Sequence, residues 1–309
     1  MKPEVVLVGP LMDSVMSELE TSYHVHRLYD PLTIGSINTE KILAVVTDGA
    51  LGAGRSLLER FPKLELLGVF GVGLDAVDLA YTRHTGISVA NTPDVLTNDV
   101  ADLAILLMLA VARGQIVADR FVRDGKWGKE ALPLAFRFTG KEVGILGLGR
   151  VGRAVAKRCA AFDCAISFVD PFASETSGLK RYGDLREMAA NVDFLVVTAA
   201  GGSETGKIVD AEILDALGPK GALINVSRGS IVDEQALVDA LLSGRLAAAG
   251  LDVFANEPCV PKELFTMDQV VLTPHRASAT VETREAMGRL LLDNLAAHFS
   301  GKPLLTPVI

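Results

Sequence analysis

The apolar positions of this chain come in short runs separated by polar or helix-periodic stretches. Over the first hundred residues the β-rich runs "VVLVG", "YHVHRLY", "LAVVTDG", "LLGVFG" and "ISVANT" alternate with segments of helical character. Strand and helix in alternation predict a parallel sheet with helices packed over it, and the reading for this part is a flavodoxin-like α/β domain. A second alternation starts at Lys141. Its six candidate strands are "EVGILG", "CAISFVD", "VDFLVVT", "ALINVS", "AAAGLDVF" and "QVVLTPH", with helical stretches such as "GRAVAKRCAAF" and "DEQALVDALLSG" between most of them. That count matches a doubly wound, parallel-sheet dinucleotide-binding domain.

From about Asn98 to Asp124 the chain carries no proline, and one helix is expected there, crossing from the first domain to the second. The closing segment "MGRLLLDNLAAHFSGKPLLTPVI" reads as a helix with no strand left to serve. It is expected to return to the first domain and make it discontinuous. The predicted organisation is α/β, two Rossmann-like domains with a cleft between them: residues 1–98 with 286–309, and residues 99–285. A chain of 309 residues also exceeds the size at which one core usually keeps growing.

Composition narrows the chemistry. A net charge of -8 and a pI near 5.2 argue against nucleic acid and acidic membrane surfaces as partners. Cys159, Cys164 and Cys259 form no CxxC pair and suit a reducing compartment as core or loop residues. The opening "MKPEVVLVGP" is too short an apolar run for a signal peptide, and "LAILLMLAVA" is far below membrane-spanning length and reads as a buried helix. A cytoplasmic location is expected by elimination. Small-molecule chemistry becomes the working class.

"VGILGLGRVGRAVA" places Gly147, Gly149 and Gly152 in G-x-G-x-x-G spacing after a strand and at the opening of a helix. Gly147 permits the tight turn, Gly149 the close approach of a pyrophosphate, and Gly152 the packing of helix on strand; Arg150 and Val151 complete the candidate cofactor loop. Asp170 ends the next strand, eighteen residues beyond Gly152, where a carboxylate meets ribose hydroxyls and repels a 2′-phosphate. This favours NAD, with NADP as the alternative. A second reading of Asp170 is turn chemistry with Pro171.

In an open α/β sheet, ligands bind beyond the carboxyl ends of the strands. Arg228 follows "ALINVS", Glu257 follows "AAAGLDVF" by a short loop, and His275 follows "QVVLTP". Their chemistry complements the reduction of a 2-oxo acid. A guanidinium binds a carboxylate bidentately, which accounts for an arginine at the mouth of an apolar strand. His275 can protonate the carbonyl oxygen, and Glu257 can orient the imidazole and favour its charged form. Taken singly, each is more readily a loop residue, a surface ion pair or a cap than a catalytic group; together, at one edge and downstream of a nucleotide loop, they point to a site. In "VFGVGLDAVD", Gly71 and Gly73 offer backbone amides to the same substrate carboxylate, or form an ordinary strand-to-helix turn with Asp75 or Asp78 at the helix start.

The motifs "FGVGLDAVD", "NTPDVLTNDVADLA", "GILGLGRVGRAVA", "INVSRGSIVDEQAL", "GLDVFANEP" and "LTPHRASATVETR", in this order and spacing, resemble the D-isomer-specific 2-hydroxyacid dehydrogenase family over essentially the whole chain. Within it the chain looks closest to the glyoxylate/hydroxypyruvate reductase branch, hydroxyphenylpyruvate reductases included. The resemblance implies Arg228, Glu257 and His275 as the catalytic residues, and Val72 and Gly73 amides on the substrate carboxylate. It also implies nicotinamide contacts near Ser227, Arg228 and Asp252, and a homodimer built through the nucleotide domains, with Trp127 of "DGKWGKEALPL" at the contact. Pocket volume rests on side chains such as Leu51 and Leu74, and hydroxypyruvate and glyoxylate lead over pyruvate and an aromatic 2-oxo acid.

Two stretches depart from the family pattern. "FVDPFAS" carries Asp170 where NADP-preferring relatives commonly carry Ser, Arg or Lys, and "TAAGGSET" replaces a loop often written Pro-Leu-Thr. Other functions on this fold are an NAD-responsive binding protein of the corepressor type and a formate- or phosphite-type dehydrogenase. Phosphoglycerate oxidation is disfavoured because no regulatory domain follows the closing helix.

Overall fold

The structure, a computed structural model, describes residues 2–32, 35, 37–173, 178–202 and 204–309. It divides into two compact units, Met1–Leu96 with Ala279–Ile309, and Thr97–Ser278. Ser174 of "FVDPFAS" and Ser203 of "TAAGGSET" lie outside the described residues.

The first unit holds five parallel strands, β1 (Glu4–Leu7), β2 (His24–Arg27), β3 (Ile42–Asp48), β4 (Leu66–Phe70) and β5 (Ser88–Ala90), in the order β2-β1-β3-β4-β5. This is the strand order of a flavodoxin-like sheet. Strand side chains alternate between faces, and here both faces are apolar. Val5, Leu7, Val46 and Phe70 meet Val15, Met16 and Leu19 of α1 (Asp13–Ser22) and Met287, Leu291 and Leu295 of the closing helix Val281–Phe299. Val6, Val45, Leu67 and Val89 turn the other way onto Leu58, Phe61 and Leu64, next to the short helices α2 (Arg55–Leu58) and α3 (Leu79–Thr85).

Buried Asn294 fastens the closing helix to this sheet. Its Oδ1 accepts the amides of Leu305 and Thr306 at 3.0 and 3.1 Å, the Thr306 hydroxyl donates to the Asn91 carbonyl at 2.6 Å, and the Val308 amide reaches the Val89 carbonyl at 2.7 Å. The last residues thus run along β5.

The second unit has seven parallel strands, β6 (Glu142–Leu146), β7 (Ala165–Val169), β8 (Lys180–Arg181), β9 (Phe194–Val197), β10 (Ala222–Asn225), β11 (Ala248–Leu251) and β12 (Val270–Leu272). Their order is β12-β11-β10-β9-β6-β7-β8. The six expected strands are present, and β8 is one more than the sequence reading counted. Two exposed basic residues carry no apolar period, so pattern alone does not find it. Central strands β9, β10 and β11 are buried at every position, as a sheet covered on both faces requires.

The single helix expected over residues 98–124 is two. α4 (Thr97–Arg113) and α5 (Gln115–Arg123) are bent by 63° at Gly114, whose φ of +55° is a left-handed conformation that glycine adopts without a Cβ clash. α4 carries the "LAILLMLAVA" run as a buried face, Ala104, Leu107, Met108 and Ala112 included, against β10, β11 and α6 (Arg150–Ala160). The other face of the sheet is covered by α7 (Leu185–Ala189), α8 (Ala211–Leu217) and α9 (Glu234–Leu242), through Met188, Leu214, Leu237 and Leu241. The closing helix is α10. Among the described residues no single helix is long and apolar enough to cross a membrane.

Cys159 and Cys164 are buried and Cys259 is exposed. Burial pushes the Cys159 thiol up to about 12 and raises that of Cys164, so neither is a nucleophile at neutral pH.

Candidate active site

The glycine loop leaves β6 in a conformation that its glycines dictate. Gly147 has φ of +92°, and a Cβ there would stand 2.5 Å from the Ala199 backbone. A Cβ on Gly152 would stand 2.2 Å from the Gly147 carbonyl oxygen, so that glycine lets α6 seat against the turn. A Cβ at Gly149 meets nothing within 4 Å.

Gly149 is also the N-cap of α6, with no side-chain cap. The contrast with its neighbours is informative: α7, α8 and α9 begin at Asp184, Asp210 and Asp233, whose carboxylates take first-turn amides. Such a cap is worth about 1 kcal/mol. At α6 no side chain caps the helix start and the space beside Gly149 is open, with exposed Arg150 and half-buried Val151 next to it, an arrangement that fits the pyrophosphate of a dinucleotide.

Half-buried Asp170 follows β7, and both readings of it coexist. Its Oδ1 accepts the amides of Phe172 and Ala173 at 2.8 and 3.0 Å, which is the turn, while Oδ2 accepts the Leu148 amide at 2.7 Å and so stands against the glycine loop. Arg181 of β8 donates to the Asp170 carbonyl at 3.1 Å, placing a cation at the same corner. The sequence reading missed this cation together with its strand.

β10, β11 and β12 are consecutive neighbours, so the loops after them share one edge of the sheet. Buried Asn225 shapes the first loop: its Nδ2 donates to the Arg228 carbonyl at 2.9 Å and its Oδ1 accepts the Ser227 amide at 3.1 Å. The Ser227 hydroxyl donates to the Ala199 carbonyl. A Cβ on Gly229 would fall 1.9 Å from the Phe254 carbonyl carbon, so only glycine lets the Arg228 loop lie on the loop after β11.

In that second loop the Phe254 amide donates to Glu257 Oε1 at 3.0 Å. The other oxygen, Oε2, stands 2.7 Å from His275 Nδ1. The pair is partly open to solvent, with side-chain exposures of 29% for Glu257 and 44% for His275. With Nδ1 engaged in this way, Nε2 is the ring nitrogen left to exchange a proton with a ligand.

Asp252 is fully buried at the end of β11 and works behind the histidine. Its Oδ1 accepts from the Thr273 hydroxyl at 2.6 Å and the Arg276 amide at 2.9 Å, its Oδ2 accepts the Ala277 amide at 3.0 Å, and its carbonyl accepts the His275 amide at 2.7 Å. These bonds hold His275 at its left-handed φ of +46°. Burial raises the Asp252 pKa, and the Thr273, Arg276 and Ala277 bonds with the His275 charge pull it back.

In the first unit the loops after β3 and β4 offer backbone amides. Asp48, at the end of β3, accepts the Ala50 and Leu51 amides at 2.8 and 2.7 Å and so fixes the turn that carries Leu51 outward, 54% exposed. After β4 the Gly71 amide donates to the Thr92 hydroxyl at 2.9 Å, and Asn91 Nδ2 donates to the Val72 carbonyl at 3.1 Å. Asp78 caps α3 through the Tyr81 amide, so the ordinary-turn reading holds for that residue. Gly71's amide is therefore consumed. Those of Val72 and Gly73 donate to no protein acceptor among the described residues.

Arg284 on α10, within the quoted "ATVETR", received no role from sequence. Its guanidinium lies 5.6 Å from the Phe70 ring centroid, and burial lowers its pKa against the opposing pull of Asp48. A helical pattern gives no sign that this cation lies by the carboxyl ends of β3 and β4.

Residues 105–277 match the family model of the D-isomer specific 2-hydroxyacid dehydrogenase, NAD binding domain. The chain is 48% identical to the hydroxyphenylpyruvate reductase of Plectranthus scutellarioides over 99% of this chain and 98% of that one. It is 46% identical to glyoxylate/hydroxypyruvate reductase A of Arabidopsis thaliana, with the same coverage of 99% and 98%. Among solved structures, the NADPH-dependent glyoxylate/hydroxypyruvate reductase of Sinorhizobium meliloti in complex with NADP and malonate is similar with a TM-score of 0.94 and 42% identity, over 100% of this chain and 97% of that one.

Proposed function

We propose, from the premise that this chain belongs to the D-isomer-specific 2-hydroxyacid dehydrogenase family, that it reduces hydroxypyruvate to D-glycerate, or glyoxylate to glycolate, with NADH. The observation that carries the reading is the 2.7 Å contact of His275 Nδ1 with Glu257 Oε2 at the edge where Arg228 also emerges. Arg228 takes the substrate carboxylate and polarises the adjacent carbonyl. His275 gives its Nε2 proton to the carbonyl oxygen, and Glu257 stabilises the charged ring before that transfer. Asp252 positions the histidine loop, and Ser227 lines the same edge. Val72 and Gly73 amides and the Leu51 side chain make the remaining substrate contacts. Gly147, Gly149, Arg150, Val151 and Gly152 would hold the reduced nicotinamide dinucleotide, which would supply the hydride when bound.

Asp170 supports NADH over NADPH, because a 2′-phosphate placed against its carboxylate is repelled. Arg181 opposes that preference, and the similar Sinorhizobium meliloti enzyme is NADPH-dependent. A homodimer accounts for the apolar side chains that the second unit exposes after α5. Trp127 is 79% exposed, Leu134 98% and Phe136 66%, and a second copy covering them keeps Trp127 at the contact. The 48% identical hydroxyphenylpyruvate reductase supports a second substrate reading, an aromatic 2-oxo acid.

The test is the rate of reduced-nicotinamide consumption with hydroxypyruvate, glyoxylate and hydroxyphenylpyruvate, each with NADH and NADPH. NADH-preferring turnover of the small acids is expected. Preference for the aromatic acid replaces the substrate, preference for NADPH replaces the cofactor, and tight NADH binding without turnover removes the enzyme reading.

A further inference from the structure

We propose that Glu4, His24 and His26 form a binding site for a divalent transition-metal ion at the outer edge of the first sheet. β2 is the edge strand, and it pairs β1 in parallel with Glu4 opposite His24 and Val6 opposite His26. Side chains of paired residues, and of residues two apart on one strand, stand on the same face. The register therefore brings Glu4, His24 and His26 together, while Val25 between the histidines turns to the face covered by α1 and α10. One ligand atom from each of the three lies within 4.8 Å of the others. His26 Nε2 is 2.5 Å from Glu4 Oε2, and the two imidazole rings meet edge to face with centroids 4.8 Å apart.

Two imidazoles and one carboxylate are a donor set for zinc and its first-row neighbours, with metal–ligand distances of about 2.0–2.2 Å. Small side-chain rotations bring donors already this close to tetrahedral spacing, and the exposed side of His24 leaves an entry path and a position for water. A plain histidine–carboxylate pair explains Glu4 and His26 only. It gives no reason for His24, on an edge strand that lysine or proline commonly guards. Two of the chain's five histidines stand here.

The site lies where β1 and β2 begin, at the opposite end of the sheet from the loops after β3 and β4. Its effect is accordingly on the fold: an ion there ties β2 to β1 and stabilises the native chain by mass action.

Calorimetric titration of chelator-treated protein with Zn²⁺ tests this, in a Cys259→Ser background that removes the exposed thiol. One Zn²⁺ is expected to bind, raising the melting temperature by several degrees. His24→Ala and His26→Ala should each weaken binding by on the order of tenfold or more, with the melting temperature in chelator and the reductase turnover unchanged in His24→Ala. Co²⁺ should show visible ligand-field bands that both variants lose. No Zn²⁺ binding by the parent, or equal affinity and stoichiometry in His24→Ala, overturns the proposal. Exposed His24 can be replaced without opening the core, so that variant decides even where His26→Ala folds poorly.

Discussion

The carboxyl edges of the two sheets are built from different materials. After β3 and β4 the chain turns on short loops that offer backbone: Asp48 and Thr92 tie down neighbouring amides, while those of Val72 and Gly73 meet no protein acceptor among the described residues. After β10, β11 and β12 the loops offer side chains, Arg228, Glu257 and His275, and the buried polar residues Asn225 and Asp252 hold those loops. Amides bind an anion at any ordinary pH but exchange no proton on the timescale of catalysis. A histidine braced by a carboxylate does both. On the proposed reading, the difference gives anion binding to the first edge and proton transfer to the second.

The sharpest way to break that division is His275→Ala. Turnover should fall by roughly a hundredfold to ten-thousandfold while NADH affinity, read by fluorescence titration, stays near that of the parent. Near-normal turnover would remove the proton role of the second edge. Next in size, Asp170→Ser combined with Pro171→Arg should shift the NADPH-to-NADH ratio of kcat/KM by about tenfold or more, the equivalent of roughly 1.4 kcal/mol. An unchanged ratio would leave Asp170 as a turn residue alone.

Thr92→Val probes the first edge. Losing the bond to the Gly71 amide should raise KM by about twofold to tenfold at nearly constant kcat, the scale of one hydrogen bond. A fall in kcat without a KM change would blur the contrast between the edges.

The smallest effect concerns Asp252, whose pKa burial raises. Its folded state therefore holds a proton more tightly than its unfolded state, so its contribution is fully present below the unfolded value of 3.8 and is lost as pH rises through the higher folded value. The stability of the parent relative to Asp252→Asn should fall as pH rises through that window in urea unfolding. A flat difference would contradict a desolvated carboxylate behind His275.

Much of the fold is legible because parallel strands buried on both faces must be apolar runs, as β9, β10 and β11 are, while the edge strand β2 was found inside the β-rich "YHVHRLY". β8 escaped because Lys180 and Arg181 contribute ladder bonds but no buried surface. The break between α4 and α5 escaped because one glycine inside a helical pattern is tolerated as often as it ends a helix, and only φ at Gly114 decides. At the candidate site, strand ends pointed to Arg228, Glu257 and His275, since the rule for open sheets concerns chain direction alone. Asp252 is different: the family resemblance implied a nicotinamide contact near it, and what the fold adds is that its carboxylate accepts from Thr273, Arg276 and Ala277. Arg284 gave no signal, because what brings a helical arginine beside Phe70 is packing across the sheet.

The most direct test of the account is reduction of hydroxypyruvate with NADH deuterated at C4 on the transferred face, followed by analysis of the product. The account predicts glycerate of the D configuration carrying one deuterium at C2, formed in step with NADH oxidation. Product without deuterium, product of both configurations, or no product from protein that binds NADH tightly would contradict it.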